Sequence, residues 1–257
     1  MALSELHYYS KALDKMTAAT VILPDGEGVP PGPYPVFYLL HGLSDDYTAW
    51  QRRTSLERYA EGMPLIIVMP DGGRGWYTNA REGYAYETAI VRDLVGLVDQ
   101  IYHTDPRREA RVVGGLSMGG YGAVKLALGR PDLFCSAVSH SGALTMAHQA
   151  GDPTVARVRE LVRIFGPDPR GGPDDLFTLA ARVDRALLPA LRIDCGTEDF
   201  LLDANRDFHA HLEELGVPHE YAELPGGHTW DYWDRHVRDA LVFHARALGL
   251  SASPRPS

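Results

Sequence analysis

Residues 111–128 read RVVGGLSMGGYGAVKLAL. A β-branched run, Arg111–Gly114, passes without a connecting loop into a small-residue helical stretch, Gly119–Leu128. Between them stands Gly115-Leu116-Ser117-Met118-Gly119, with Gly120 next. The G-x-S-x-G pattern turns up often by chance, and its context gives it meaning: a strand directly before, a helix directly after. A turn that sharp forces strained backbone angles on its serine, and flanking glycines remove the β-carbons that would clash. The hydroxyl is then held proud of the sheet edge, with free N–H groups of a helix N-terminus behind it. Ser117 is the expected nucleophile; the plainer reading is a turn serine capping the helix.

Outward from this stretch, short apolar runs alternate with helical patterns. Thr17–Leu23, Val36–Leu40, Leu65–Met69, Phe134–Ser139, Leu191–Cys195 and Pro218–Leu224 read as further strands. VFYLL and LIIVM are continuous and apolar, as strands buried on both faces require. Tyr86–Tyr102, Leu202–Leu215 and Trp230–Leu248 read as helices, the first from Ile90, Leu94, Leu97, Val98 and Ile101 at 3.6 spacing. The alternation predicts an α/β fold: a mostly parallel central sheet with helices on both faces. At 257 residues the chain suits one domain over 1–250, with 251–257 (SASPRPS) a flexible tail. The rhythm breaks at about 144–189, where Thr154–Phe165 and Asp174–Val183 flank a Gly/Pro-rich stretch. This is a helical insertion at the carboxyl edge of the sheet, where ligands bind in open α/β folds. It reads equally as a cap or as a plain crossover.

A neutral serine needs a base within hydrogen-bond reach. Among eleven histidines, His228 stands apart, in a PGGHTW loop between the last strand and the last helix, on the same sheet edge as Ser117. His103, His209, His211, His236 and His244 fall in or beside helices, and His140, at a strand end between two serines, is taken as structural. His209 and His211 face different sides of a helix, so that pair is no metal site. After LRIDC, Asp199 falls at the carboxyl edge and is the chosen acid; Asp203, at a helix start, is the reserve. The order Ser117, Asp199, His228 is that of α/β-hydrolases.

Attack on an ester carbonyl creates an oxyanion that needs preorganised donors. The amides expected to supply them belong to Met118 and to Leu43, in the loop after Val36–Leu40 and His41-Gly42; Gly42 is the neighbouring candidate, and His41 itself is structural. Trp76, Tyr77 and Trp230 are candidates for the pocket wall, with core packing the alternative.

A net charge of −9 makes nucleic acid a poor partner. No apolar run approaches a membrane span. Two distant cysteines and an N-terminus without a signal pattern suggest a cytoplasmic protein.

The segments YLLHGLSDD with Trp50, MPDGGRGWYTN, GLSMGGYGAVKLAL, CGTEDFLLD and LPGGHTWDYW resemble the esterase D group of α/β-hydrolases over roughly residues 17 to 248. GLSMGGYGA, TEDFL and GGHTWDYW look most like the tributyrin-type short-chain carboxylesterases within it. The resemblance implies Ser117, Asp199 and His228 as a triad and a small-molecule ester substrate with a short acyl group. It implies no metal and no organic cofactor, and a homo-oligomer is compatible with it. Feruloyl and acetylxylan esterases, S-formylglutathione hydrolases and mycolyl-transferring enzymes share the pattern, so those activities and acyl transfer stay open. A non-catalytic binding module would be expected to lack one of the three residues.

Overall fold

The computed structural model describes residues 1–26, 28–149 and 157–251. The strands are β1 (Ala2–Ser10), β2 (Lys15–Leu23), β3 (Val36–Leu40), β4 (Ile66–Pro70), β5 (Arg111–Leu116), β6 (Ser136–His140), β7 (Ala190–Gly196) and β8 (Glu220–Leu224). They form one sheet in the order β1-β2-β4-β3-β5-β6-β7-β8. From β4 to β8 every pairing is parallel; β1–β2 and β2–β4 are antiparallel. This is the mostly parallel α/β architecture that the alternation of runs predicts, in the α/β-hydrolase form that the resemblance implies.

The helices are α1 (Ala49–Arg53), α2 (Leu56–Ala60), α3 (Tyr86–Thr88), α4 (Val95–Ile101), α5 (Met118–Gly129), α6 (Met146–Gln149), α7 (Val158–Phe165), α8 (Leu176–Arg182), α9 (Leu202–Glu214) and α10 (Trp230–Ala247). A π-helical stretch, Ala89–Leu94, joins α3 to α4, so the 3.6 pattern of 86–102 widens by one residue midway. No described helix is long and apolar enough to cross a membrane.

β3 shows why the sheet sits at the centre. Val36, Tyr38 and Leu40 enter one core with α4, α5, α8 and α9, while Phe37 and Leu39 enter the other with α2 and α10. Successive side chains point to opposite faces, so a strand covered on both sides is apolar at alternating positions toward each core, as β3 is.

Several boundaries differ from the sequence reading. β1 was not foreseen. Leu3 and Tyr9 are half exposed on one face, while Leu6 and Tyr8 on the other pack on the main core, and a nine-residue antiparallel register with β2 holds the strand. β2 starts at Lys15 and β5 runs on to Leu116, because their ladder partners continue. β6 begins at Ser136, with the buried Phe134 packed before it, and β8 begins at Glu220. Helices α1 and α2 are too short to leave a periodic signal. The expected helix 154–165 is described only from Val158; Thr154 to Ala156 lie outside the described residues, as does the expected tail beyond Ser251.

The stretch 144–189 joins β6 to β7 and shares the main core. Leu161, Ile164 and Phe165 of α7 are buried, and Phe165 meets both Trp76 and Tyr121 edge-on at 5.8 Å. The buried Lys125 of α5 binds Asp174 at 3.0 Å and also contacts Glu87, so the insertion is tied to the helix behind Ser117.

His244 of α10 is fully buried, with Nδ1 2.9 Å from the Ser136 hydroxyl and its ring against Phe37. Burial, helped by the nearby His140, pushes its pKa from an ordinary 6.5 down to about 3. The folded protein therefore keeps this ring neutral while the unfolded chain protonates it. Its effect on stability is absent above pH 6.5 and grows as a penalty on the folded state from there down to about pH 3. One proton of difference is worth about 1.4 kcal/mol per pH unit. His244→Asn keeps a polar atom for Ser136 and cannot titrate. Its Tm should fall less steeply than the wild type's between pH 6.5 and 4.5; equal slopes in the two proteins would remove His244 from the acid response.

Candidate active site

Ser117 sits between β5 and α5 with φ 53° and ψ −115°, a backbone region that L-residues rarely occupy. Its neighbours hold it there: its N–H donates to His140 O at 2.9 Å, and its carbonyl accepts from Tyr121 N–H at 3.0 Å and Ala143 N–H at 3.1 Å. Close approach behind the turn dictates the glycine at 119. A Cβ there would lie 2.4 Å from the Leu40 carbonyl oxygen and 2.7 Å from that of His41. The first turn of α5 can therefore press against the end of β3 only without a side chain at this position.

The loops after β7 and β8 are fastened to one another. Thr197 N–H donates to Leu224 O at 2.8 Å and Glu198 N–H to Gly226 O at 2.9 Å. A Cβ on Gly196 would fall 2.3 Å from Gly226 O. This fastening brings Asp199 and His228 together. His228 Nδ1–H donates to Asp199 at 2.9 and 3.1 Å, and the Ser117 hydroxyl donates to His228 Nε2 at 3.0 Å. Burial works to raise the Asp199 pKa, but hydrogen bonds from His228, the Leu201 amide and Ser141 outweigh it and hold it below the ordinary carboxylate value. An ionised Asp199 can fix the imidazole tautomer and oppose the positive charge that a proton from Ser117 would place on it.

The competing residues are accounted for. Asp203 is almost fully exposed at the start of α9, 3.6 Å from Arg206. His140 and Asp194 form a second pair at 2.9 Å, yet both are completely buried and Asp194 also accepts from Tyr232 at 3.0 Å. That pair is structural, with no opening to a substrate. His41 is structural too: Nδ1–H donates to Gly42 O at 2.7 Å and Nε2 accepts from Gly72 N–H at 2.9 Å. It braces the loop carrying Leu43.

A cavity of about 330 Å³ opens beside Ser117, walled chiefly by Leu43, Trp76, Met146, Leu161, Phe200 and Leu201. Trp76 is the one aromatic expectation that reaches this wall. Tyr77 is fully buried beneath it, donating to His41 O at 3.0 Å, and serves the core. Trp230 packs edge-on against Trp50 and Trp233 at 5.4 and 5.3 Å, one layer behind the histidine. Tyr77 and Trp230, the first residue of α10, thus follow the core-packing alternative: each is drawn to apolar neighbours away from the cavity.

Sequence reasoning missed three residues here. Phe200 is 78 % exposed and its ring lies 4.5 Å from that of His228. Trp233 meets His228 edge-on at 4.9 Å. Its Nε1–H donates to the Ser141 hydroxyl at 3.3 Å, and that hydroxyl helps hold the Asp199 carboxyl below its ordinary pKa. Ser141 is held at φ 48° with its N–H on Asp194 O at 2.7 Å. The only sequence signal for it was its place at the end of the strand next to β5.

Comparison with known proteins adds an independent line. A family model described as "Putative esterase" matches residues 10–244. The acetyl esterase of Caldicellulosiruptor saccharolyticus is 28% identical over 96% of this chain and 99% of its own length. An esterase of Mycobacterium tuberculosis is 31% identical over 96% of this chain, which spans 61% of that larger protein. Among solved structures, the fluorophosphonate-binding serine hydrolase F of Staphylococcus aureus superposes with TM-score 0.85 at 32% identity, covering 95% of this chain and 98% of that one. The S-formylglutathione hydrolase of the same organism does so with TM-score 0.81 at 31% identity and the same coverage.

The Ser141 hydroxyl stabilises the charged form of Asp199, and this has a measurable consequence. Stabilisation of an ionised group by a hydroxyl is worth about 1.5 kcal/mol, so Ser141→Ala should lower kcat for an ester roughly 10-fold with KM little changed. Ser141→Gly removes the strained side chain as well and should be no better. Wild-type kcat in either variant would show that the hydroxyl does not position Asp199.

Proposed function

The chain belongs to the family described as "Putative esterase" and is a serine carboxylic-ester hydrolase; from that premise we propose that Ser117, His228 and Asp199 are its triad and that short-chain acyl esters are its substrates. The observation carrying the residue assignment is the continuous line of hydrogen bonds from Ser117 Oγ through both ring nitrogens of His228 to Asp199. His228 Nε2 takes the hydroxyl proton as Oγ attacks the ester carbonyl carbon. The oxyanion is stabilised by the amides of Met118, the first residue of α5, and Leu43, beside the nucleophile. The tetrahedral adduct collapses as His228 protonates the leaving alcohol, and an acyl-serine remains. Water, giving a proton to the same nitrogen, attacks the acyl carbon; the acid leaves and Ser117 regains its proton.

The preference for short acyl groups rests on the cavity. A volume of about 330 Å³ is at the low end for small-molecule sites, and its wall is apolar apart from Ser117, Arg157 and Glu160. In this proposal the insertion at 144–189, within one domain spanning 1–250, caps the site. Met146 and Leu161 supply part of the wall, and Glu160 is bound by Arg74 at 2.7 and 2.8 Å. Cys135 and Cys195 are unpaired, which fits a reducing compartment, and we assign the enzyme to the cytoplasm on that ground.

A second reading, hydrolysis of an S-acyl peptide thioester, is favoured by Arg157 on the cavity wall, a cation suited to a peptide carboxylate, and by the likeness to the S. aureus S-formylglutathione hydrolase. A panel of p-nitrophenyl esters from acetate to palmitate, with feruloyl, acetyl-sugar and S-formyl thioester substrates, separates these readings. Turnover should peak at the short alkyl esters; a maximum at long chains would overturn the short-acyl assignment, and a dominant thioester activity would favour the second reading. Ser117→Ala should lose about 10⁶-fold in kcat on every substrate. A fluorophosphonate should label the wild-type protein at Ser117; mapping of the label to a different serine would count against the nucleophile.

A further inference from the structure

At the opposite edge of the sheet from His228, three side chains unused in ester hydrolysis converge where α9 passes the start of β8. His209 and Glu213 are four residues apart on α9 and so share one face of the helix. His219 stands immediately before β8. One ligand-capable atom from each of the three lies within 4.8 Å of the others.

The two rings are fixed with one nitrogen of each facing the other. His219 donates Nδ1–H to Val217 O at 2.8 Å, which makes Nε2 its free acceptor. That nitrogen is 2.7 Å from His209 Nδ1. The His209 ring is stacked flat on Tyr221, 4.0 Å between centroids and 5° between planes, so it cannot turn away. A backbone carbonyl holding the far nitrogen of a histidine is the outer-shell arrangement that orients metal-ligating imidazoles. Both histidines are partly buried, whereas Glu213 is exposed and offers a path for an ion. The nearby carboxylate of Glu223 is already held by Arg206 at 2.7 Å through both oxygens.

We propose that His209, Glu213 and His219 form a divalent metal site of the zinc class that clamps α9 to the beginning of β8. Two imidazole nitrogens and one carboxylate are a donor set suited to zinc, with water in the fourth tetrahedral position. Without an ion the two nitrogens share a proton: His209 Nδ1–H donates to His219 Nε2. On binding, that proton moves to His209 Nε2 and both facing lone pairs reach the metal. Tetrahedral ligands at about 2.0–2.1 Å stand about 3.3 Å apart, so the rings separate by roughly half an ångström. The ion is structural rather than catalytic. Its two elements nonetheless continue into the segments bearing Asp199, just before α9, and His228, just after β8.

The test uses the full chain stripped with a chelator and titrated with zinc chloride. Calorimetry should show one ion bound per chain. At a hundredfold excess over Kd, Tm should rise by about 5–10 °C. Cobalt(II) in place of zinc should give the absorption bands of tetrahedral coordination. His219→Ala should abolish the calorimetric site and the Tm shift. Glu213→Gln, at an exposed position that leaves the fold intact, should weaken binding at least about tenfold, while Asp203→Asn, an exposed acid on the same helix, should bind zinc as the wild type does. Absence of any heat or Tm shift in the wild type would overturn the proposal. So would zinc binding by Glu213→Gln and His219→Ala at wild-type affinity, which would place the ion elsewhere on the chain.

Discussion

The approach of the first turn of α5 to the end of β3 is the constraint on which the arrangement around Ser117 rests. At Gly119 the helix backbone comes so near the carbonyl oxygens of Leu40 and His41 that a single β-carbon would overlap both. With no side chain there, the chain leaves β5 and enters the helix within one residue, and that residue is forced to φ 53°. Strain of this kind costs about 1–3 kcal/mol and persists only where the surroundings over-determine it. Here three backbone hydrogen bonds at Ser117 and the two buried faces of the sheet supply that constraint. The same contact sets the loop carrying Leu43 beside Ser117, so one steric condition positions both the hydroxyl and that loop.

A second contact of the same kind assembles the other half of the site. Gly196 at the end of β7 lies directly against Gly226, and two backbone hydrogen bonds close the gap between the loops. Asp199 and His228 are 29 residues apart in the chain but become neighbours because β7 and β8 are paired in parallel and their loops leave the same edge. Behind them, Trp233, Ser141 and Asp199 form a short polar line inside an otherwise apolar wall. Buried polar groups are tolerated when they are paired, and each of these is.

The interior carries more polarity than a hydrophobic pattern announces. Buried His140 pairs through Nδ1 with Asp194, which also accepts from Tyr232, while its Nε2 has no partner among the described residues; buried Lys125 pairs with the partly buried Asp174. They tie β6 to β7 and α10, and α5 to the insertion. From the sequence, His140 between two serines could imitate a site, though His228 stands apart. Access separates them in the structure: one imidazole is fully buried, and the other is partly exposed and bonded to Ser117 on the wall of a cavity.

The apolar runs VFYLL and LIIVM, the glycines around Ser117 and the order of serine, acid and histidine were legible from the residues alone, because each is a local requirement: burial on two faces, a turn without β-carbons, a loop after a strand. The edge strand β1, the short helices α1 and α2 and the π-turn left no local signal, since each is stabilised by a partner elsewhere in the chain. The inward turn of Tyr77 and Trp230, the bond from Trp233 to Ser141 and the meeting of His209 with His219 rather than His211 likewise belong to the tertiary structure. Local patterns report which groups must be buried or free; only the packing of distant segments decides which of them touch.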